Sequence, residues 1–296
     1  MLQVLVNALC TGSGLALVAA GFALIYFTTD VFHIAHGAAC LLAAYLTSWV
    51  LLQTSDSATP SAGQLFIACA VGVVAAALFG FLVEILVYRP LFRQGAAGTV
   101  MLASSLGVYI VAVNALVAAV GSGPQTLLPG TSTMHRAGGV VLTSAQLVLL
   151  GSAGPVLAAF VLSIRATRAG LFTRAVGDDP LLAATLGVNV LRVRTVVFLA
   201  GSALAGLGAI LLALDVGVDP GTGLSQALVG GVATLIAGRR WIWGPGAAAI
   251  FLAILQGLVA WGLSSAWQDA TTFGVLLITL IARPEWLQSA TRPERR

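Results

Sequence analysis

Few side chains in this 296-residue chain can hold a proton, a charge or a metal ion. There are ten acids, three histidines and fourteen cationic residues, and every cation is an arginine. Without lysine there is no Walker A loop, whose lysine must reach the β- and γ-phosphates, and no Schiff-base chemistry. If ATP powers this protein, another chain hydrolyses it. Asp30, His33 and His36 stand close together near the start, and Glu84 precedes Arg89 at a spacing that lets the two pair. Cys10, Cys40 and Cys69 lie in apolar runs with no CxxC or Cys/His cluster, and read as small buried hydrophobes. No set of acids, bases or ligands converges as an active centre would require. The chain therefore reads as non-catalytic, with no metal and no cofactor.

The elements that carry these residues are set by composition. Hydrophobic residues make up 59% of the chain and charged residues 8%, against roughly 25% charged in a soluble domain. Apolar segments fall near 4–27, 35–53, 64–88, 99–121, 140–164, 195–214, 225–238, 244–263 and 270–283. A bilayer core of about 30 Å takes about 20 helical residues, so most of these segments can span it. Backbone groups find no water there, so the spans must be helical, and they are too long for barrel strands. The expected fold is all-α: a polytopic transmembrane helical bundle of about 8–10 segments, some short or interrupted. It forms a single domain over 1–296 with one long loop at 165–194. The first segment has no basic n-region, and Leu9 before Cys10 spoils both a cleavage site and a lipobox, so it reads as a retained span.

Orientation follows the arginines. Arg89 and Arg93, then Arg165, Arg168, Arg174, Arg192 and Arg194, then Arg239 and Arg240, then Arg283, Arg292, Arg295 and Arg296 fall on one face; Arg136 alone falls opposite. That face is read as cytoplasmic, with the N-terminus and Asp56, Asp215, Asp219 and Asp269 outside. The net charge of +4 is spent on this orientation and forms no patch for nucleic acid. Gly201, Ala205 and Gly208 in one span, and Gly230, Gly231 and Ala233 in another, allow close helix packing, and some such positions would line a pathway. No internal repeat is legible.

Secondary transporters keep an ionisable residue inside the membrane for the coupling ion. These span interiors hold essentially none, which leaves a passive channel or a pathway driven from outside the chain. The loop 165–194 discriminates between them. Asp178 or Asp179 can cap a short helix with Pro180 at its first position, and Gly187 can stop it. The helix would carry Leu181, Leu182, Ala183, Ala184 and Leu186 among arginines, either lying on lipid or docking to a soluble partner.

These residues resemble the permeases of branched-chain amino acid ABC transporters. The stretch 14–46, with Ala35-His36-Gly37 and Ala43-Ala44-Tyr45, is similar to the family's first-span signature. Residues 84–93 resemble its Glu-to-Arg-Pro turn, 174–194 its coupling segment, 198–214 the following span, and 280–287 its closing Arg-Pro. The resemblance implies a membrane pair of similar but different permeases, two cytoplasmic ATPase subunits and an external solute-binding protein, in a bacterial inner membrane. It implies ATPase coupling through Asp179, Pro180, Ala183, Ala184, Leu186 and Gly187. His33 replaces the family's usual Asn, Ala237-Gly238-Arg239-Arg240-Trp241 replaces a glycine-rich turn, and Gln256 stands near a common acid. His36 reads either as a helix-start histidine bonded to backbone, or as the mouth of a broken helix whose dipole attracts a carboxylate. In the second reading His36, Gly37, Gly230 and Gly231 belong to the substrate pathway. Arg239 and Arg240 are topology anchors or a gate. The leading function is import of a small polar solute, foremost a branched-chain or related amino acid. A channel or ion-coupled carrier, and a non-transporting scaffold subunit, are the other readings.

Overall fold

The computed structural model describes residues 1–54, 60–127, 133–137, 139–238 and 243–282. Asp56, Arg239, Arg240, Trp241, Arg283, Arg292, Arg295, Arg296 and most of the closing segment 280–287 lie outside the described residues. Eight helices among those described are long and apolar enough to cross a membrane, and a ninth, shorter one is equally apolar.

Helix α1 (Leu2–Thr29) ends where Asp30 takes a left-handed conformation, φ 53°, and an irregular stretch leads into α2 (His36–Thr54). Helix α3 (Ala62–Val83) starts from a Ser61–Gln64 capping box and runs through a π-helical turn, Glu84–Tyr88, into α4 (Arg89–Arg93). The third span therefore reaches Arg93, beyond the boundary expected at 88. After α5 (Gly98–Val120) comes a hairpin of β1 (Met134–Ala137) and β2 (Val140–Thr143), which the all-helical expectation did not contain. Gln3 fixes it: its amide donates to Val141 O and accepts from Val141 N, both at 2.8 Å, as a neighbouring strand would. The next span, expected from 140, accordingly starts as α6 (Ser144–Ala166), capped by Thr143 and Gln146.

The stretch expected as one long loop is mostly helical. It holds α7 (Arg168–Asp178), α8 (Pro180–Thr185) and the first turn of α9 (Val190–Val216). Thr167 caps α7 and Asn189 caps α9, each side-chain oxygen accepting from a backbone N–H in the first turn. Helices α10 (Thr222–Ala237), α11 (Gly244–Gly262) and α12 (Gln268–Ala282) complete the described chain.

Packing reveals an internal symmetry that inspection of the sequence misses. Helix α1 packs on α9, α11 and α10; helix α9 packs on α1, α3 and α2. A Cβ on Gly21 would collide with Gly201 O, and one on Gly208 would lie 2.7 Å from Gly14 O. The two helices are thus antiparallel, and exchanging Gly14 for Gly201 and Gly21 for Gly208 maps the contact onto itself. The same exchange carries Gly37 onto Gly223, which touch each other, and Leu41 onto Ala227, which pack on the opposite glycine. The units α1–α2–α3 and α9–α10–α11 are an inverted pair. The irregular stretch before α10 is one residue shorter than that before α2, which hides the repeat from simple alignment. Most of α1 and α9 is buried, whereas α5, α6 and α12 expose apolar side chains along most of their length. Such surfaces belong in lipid or against another membrane chain.

Candidate functional site

The centre of the inverted pair is a junction of interrupted helices. The left-handed turn at Asp30 sends the chain back along α1, so that His36 Nε2 meets Val18 O at 3.2 Å, halfway up that helix. Helix α2 therefore starts inside the bundle. Helix α10 starts across from it, and Gly37 and Gly223 cross backbone to backbone. Two helix N-termini with their partial positive charge thus face one another's glycines at mid-depth, an arrangement that transporters with inverted repeats use.

The stretch between α1 and α2 is held by polar anchors from far along the chain. His33 Nδ1 lies 2.8 Å from Tyr88 Oη, in the π-helical turn, and Ala35 N donates to Ser105 Oγ at 3.0 Å. The ring of Phe198 on α9 packs at 5.2 Å on the edge of His33. His33 thus ties the junction to the π-helical turn after α3 and to α9. His33 Nε2 and His36 Nδ1 are buried and find no hydrogen-bond partner among the described residues. His36, the first residue of α2, bonds to backbone as the first reading of it expected. Gly230 lies against Val18, Ala19 and Phe22, and Gly231 against the rings of Phe32 and Phe22. The fold therefore brings His36, Gly37, Gly230 and Gly231 together in one buried hub.

Gly37 has no room for a side chain, so Gly37→Ala is expected to lower stability by about 1–3 kcal/mol through overpacking. Gly107 on α5 has open space around its Cα; Gly107→Ala should be neutral or raise stability by up to about 1 kcal/mol through helix propensity. Thermal unfolding of both variants in one detergent checks the contrast.

At the end of the bundle where α1 terminates, one pair of opposite charges is buried. Glu84 was expected to pair with Arg89. It pairs instead with Arg194, at 3.2 Å and 3.4 Å, and the two side chains are 0% and 2% exposed. Arg89 donates to Thr195 Oγ1. Phe92 covers the Arg194 guanidinium at 4.3 Å. Arg194, read as a loop arginine, is a core residue of α9. The signal that would have placed it is Asn189, a good N-cap directly before an apolar run.

Helix α8 packs on α7 and on α9. Asp179 Oδ1 accepts from the N–H groups of Leu181 and Leu182, both at 2.9 Å, with Pro180 at the first position. Gly187, at φ 86°, closes the helix: its N–H donates to Ala184 O and that of Val188 to Ala183 O. That double bond pattern is a Schellman stop. Ala183 is buried, Ala184 is open, and Leu181, Leu182 and Leu186 are 75%, 57% and 77% exposed. Gln256 spans α11 and α12 by donating to Thr272 Oγ1 at 2.7 Å. Among the described residues no three His, Cys, Asp or Glu side chains gather as metal ligands.

Apolar spans, an inverted pair of interrupted helices and a capped helix offered at one end define a multi-pass membrane permease subunit. A family described as the permease component of branched-chain amino acid transport systems matches residues 4–280, and the chain belongs to that family. It is 28% identical over 300 residues to the high-affinity branched-chain amino acid transport system permease protein BraD of Pseudomonas aeruginosa, covering 99% of this chain and 96% of that one. The corresponding protein LivH of Escherichia coli K12 is 26% identical over 303 residues, with the same coverage. A probable branched-chain amino acid transport permease protein LivH of Methanocaldococcus jannaschii is 25% identical over 274 residues, covering 90% and 83%. The chain is thus a non-catalytic inner-membrane component of an ABC importer, a class that works with ATPase and solute-binding partners.

Proposed function

We propose that this chain, acting as one transmembrane unit with a cytoplasmic segment at 165–194, forms half of the pathway for a branched-chain or related amino acid. Its fellow half is a similar but different permease, with two ATPase subunits below and a solute-binding protein outside. The arginine-rich end is the cytoplasmic one. The observation that carries this reading is α8, a rigidly capped helix whose leucines are exposed at that end. Burying each in a partner's cleft is worth roughly 1.5–3 kcal/mol. Asp179, Pro180 and Gly187 fix the helix, Ala183 seats it, and Ala184 and Leu186 face the ATPase. His36, Gly37, Gly230 and Gly231 form the hub on which the inverted halves move as the pathway opens beside them. The names of the relatives, all branched-chain amino acid permeases, support the cargo.

The test is uptake of radiolabelled leucine, isoleucine and valine into proteoliposomes holding the complex purified through this chain. Uptake should need both ATP inside and the binding protein outside. Uptake by this subunit alone under an imposed proton or sodium gradient would make it a secondary carrier instead.

A further inference from the structure

A cleft of about 290 Å³ opens between α1, α6 and α7 beside the coupling segment and outside the central hub. Its inner wall is apolar, made by Leu24, Phe27, Phe160 and Ile164. Its rim carries Arg174 and Asp178, one helical turn apart on α7 and both exposed. The ion pair seen among the described residues is Arg194–Glu84, and neither rim charge has a counter-ion among them. Thr28 and Thr173 add hydroxyl oxygens at the same mouth, each already donating to its own helix.

A cation and an anion at this spacing over an apolar chamber match a small zwitterion with an apolar tail. The guanidinium suits a carboxylate, the Asp178 carboxylate suits an ammonium, and the side chain fills the space among the leucine and phenylalanines. The volume sits at the small end of ligand pockets, which run about 300–1,000 Å³. An anionic lipid headgroup is a poorer match, since its phosphate would meet the Asp178 carboxylate.

We propose that this cleft is a cytoplasm-facing site for a free apolar amino acid, and that its occupation restrains the coupling helix. The cargo class rests on the reading given under Proposed function. The restraint follows from connectivity: one wall is α7, and Asp179 alone separates α7 from α8. Gly177 already lets α7 seat on the carbonyl end of α1, where a Cβ would lie 2.5 Å from Phe27 O. A ligand bridging Arg174 and Asp178 to the α1–α6 wall holds α7 in this position and α8 with it. Accumulated product on the inner side therefore slows the importer.

The experiment uses the complete complex in nanodiscs, with each rate compared with the same variant's own rate without added ligand. Binding-protein-stimulated ATP hydrolysis is titrated with L-leucine, with isocaproate, which lacks the ammonium, and with isopentylamine, which lacks the carboxylate. Leucine should inhibit, and both analogues should need at least tenfold more. Arg174→Ala, Asp178→Asn and the cleft-filling Ala23→Phe should each shift leucine inhibition at least tenfold. Equilibrium dialysis of radiolabelled leucine against the complex without its binding protein should show the matching loss. Normal leucine uptake with no leucine binding in dialysis would overturn this site and leave the transport reading standing. Leucine binding untouched by the rim variants, or a co-purified phospholipid that Ala23→Phe expels, would overturn it equally. Absence of leucine uptake by the intact complex would count against the cargo reading itself.

Discussion

Arginine in place of Ala184 is expected to abolish stimulated ATP hydrolysis and uptake while leaving the amount of this subunit in the membrane nearly unchanged. Ala184 sits mid-way along α8, is exposed, and lies between leucines that no described residue covers. Ala184 is exposed among the described residues, so folding and insertion should lose little. At a desolvated contact with a partner, an unpaired charge costs on the order of 2–5 kcal/mol. At about 1.4 kcal/mol per tenfold, that weakens ATPase docking by well over an order of magnitude. A pull-down through this chain should lose the ATPase, with hydrolysis and uptake lost in parallel. Normal recovery and normal uptake would mean that α8 lies on lipid instead. A matched Ala183→Arg variant should behave differently: Ala183 is buried against its own chain, so it should also reduce folding.

The second large effect concerns the buried pair at the start of α9. Replacing Glu84 with leucine alone leaves the Arg194 guanidinium enclosed, with Phe92 over its face. An uncompensated buried charge of this kind costs about 3–5 kcal/mol, so abundance and thermal stability should fall steeply. The double variant Glu84→Leu with Arg194→Met removes both charges together. Apolar replacement of a buried pair is commonly neutral or stabilising by about 1–4 kcal/mol, so stability should return. Thermal unfolding of the wild type, both single variants and the double variant checks this. Uptake then separates two roles. If stability returns and transport does too, the pair is purely structural; if stability returns without transport, the pair holds α9 in register with the coupling helix it follows. Equal stability of wild type and Glu84→Leu would refute the burial of Arg194.

Within the sequence, local signals were faithful. Asp179-Pro180 and Gly187 marked both ends of α8, because a cap and a left-handed stop involve neighbours a few residues apart. Helix α7 was missed: its glycines and arginines mask an amphipathic pattern, and Thr167 before it is a cap that went unread. The hairpin was missed for a different reason, since its third partner is Gln3, 138 residues away.

Composition and hydropathy alone determined that this chain is a multi-pass helical membrane protein, and the missing lysine excluded a Walker A loop. Apolar run length is a direct measure of transfer into lipid, and the lack of lysine removes whole reaction classes. Tertiary structure alone decided where the few charges go. Glu84 found Arg194, 110 residues on, rather than the nearby Arg89. Burial in a helix bundle selects the partner that a neighbouring helix presents at the same depth, not the nearest in sequence. The inverted pairing of α1 with α9 was likewise invisible. Its signal is a handful of glycines whose pairing depends on antiparallel helices meeting face to face, and small residues look alike wherever they stand.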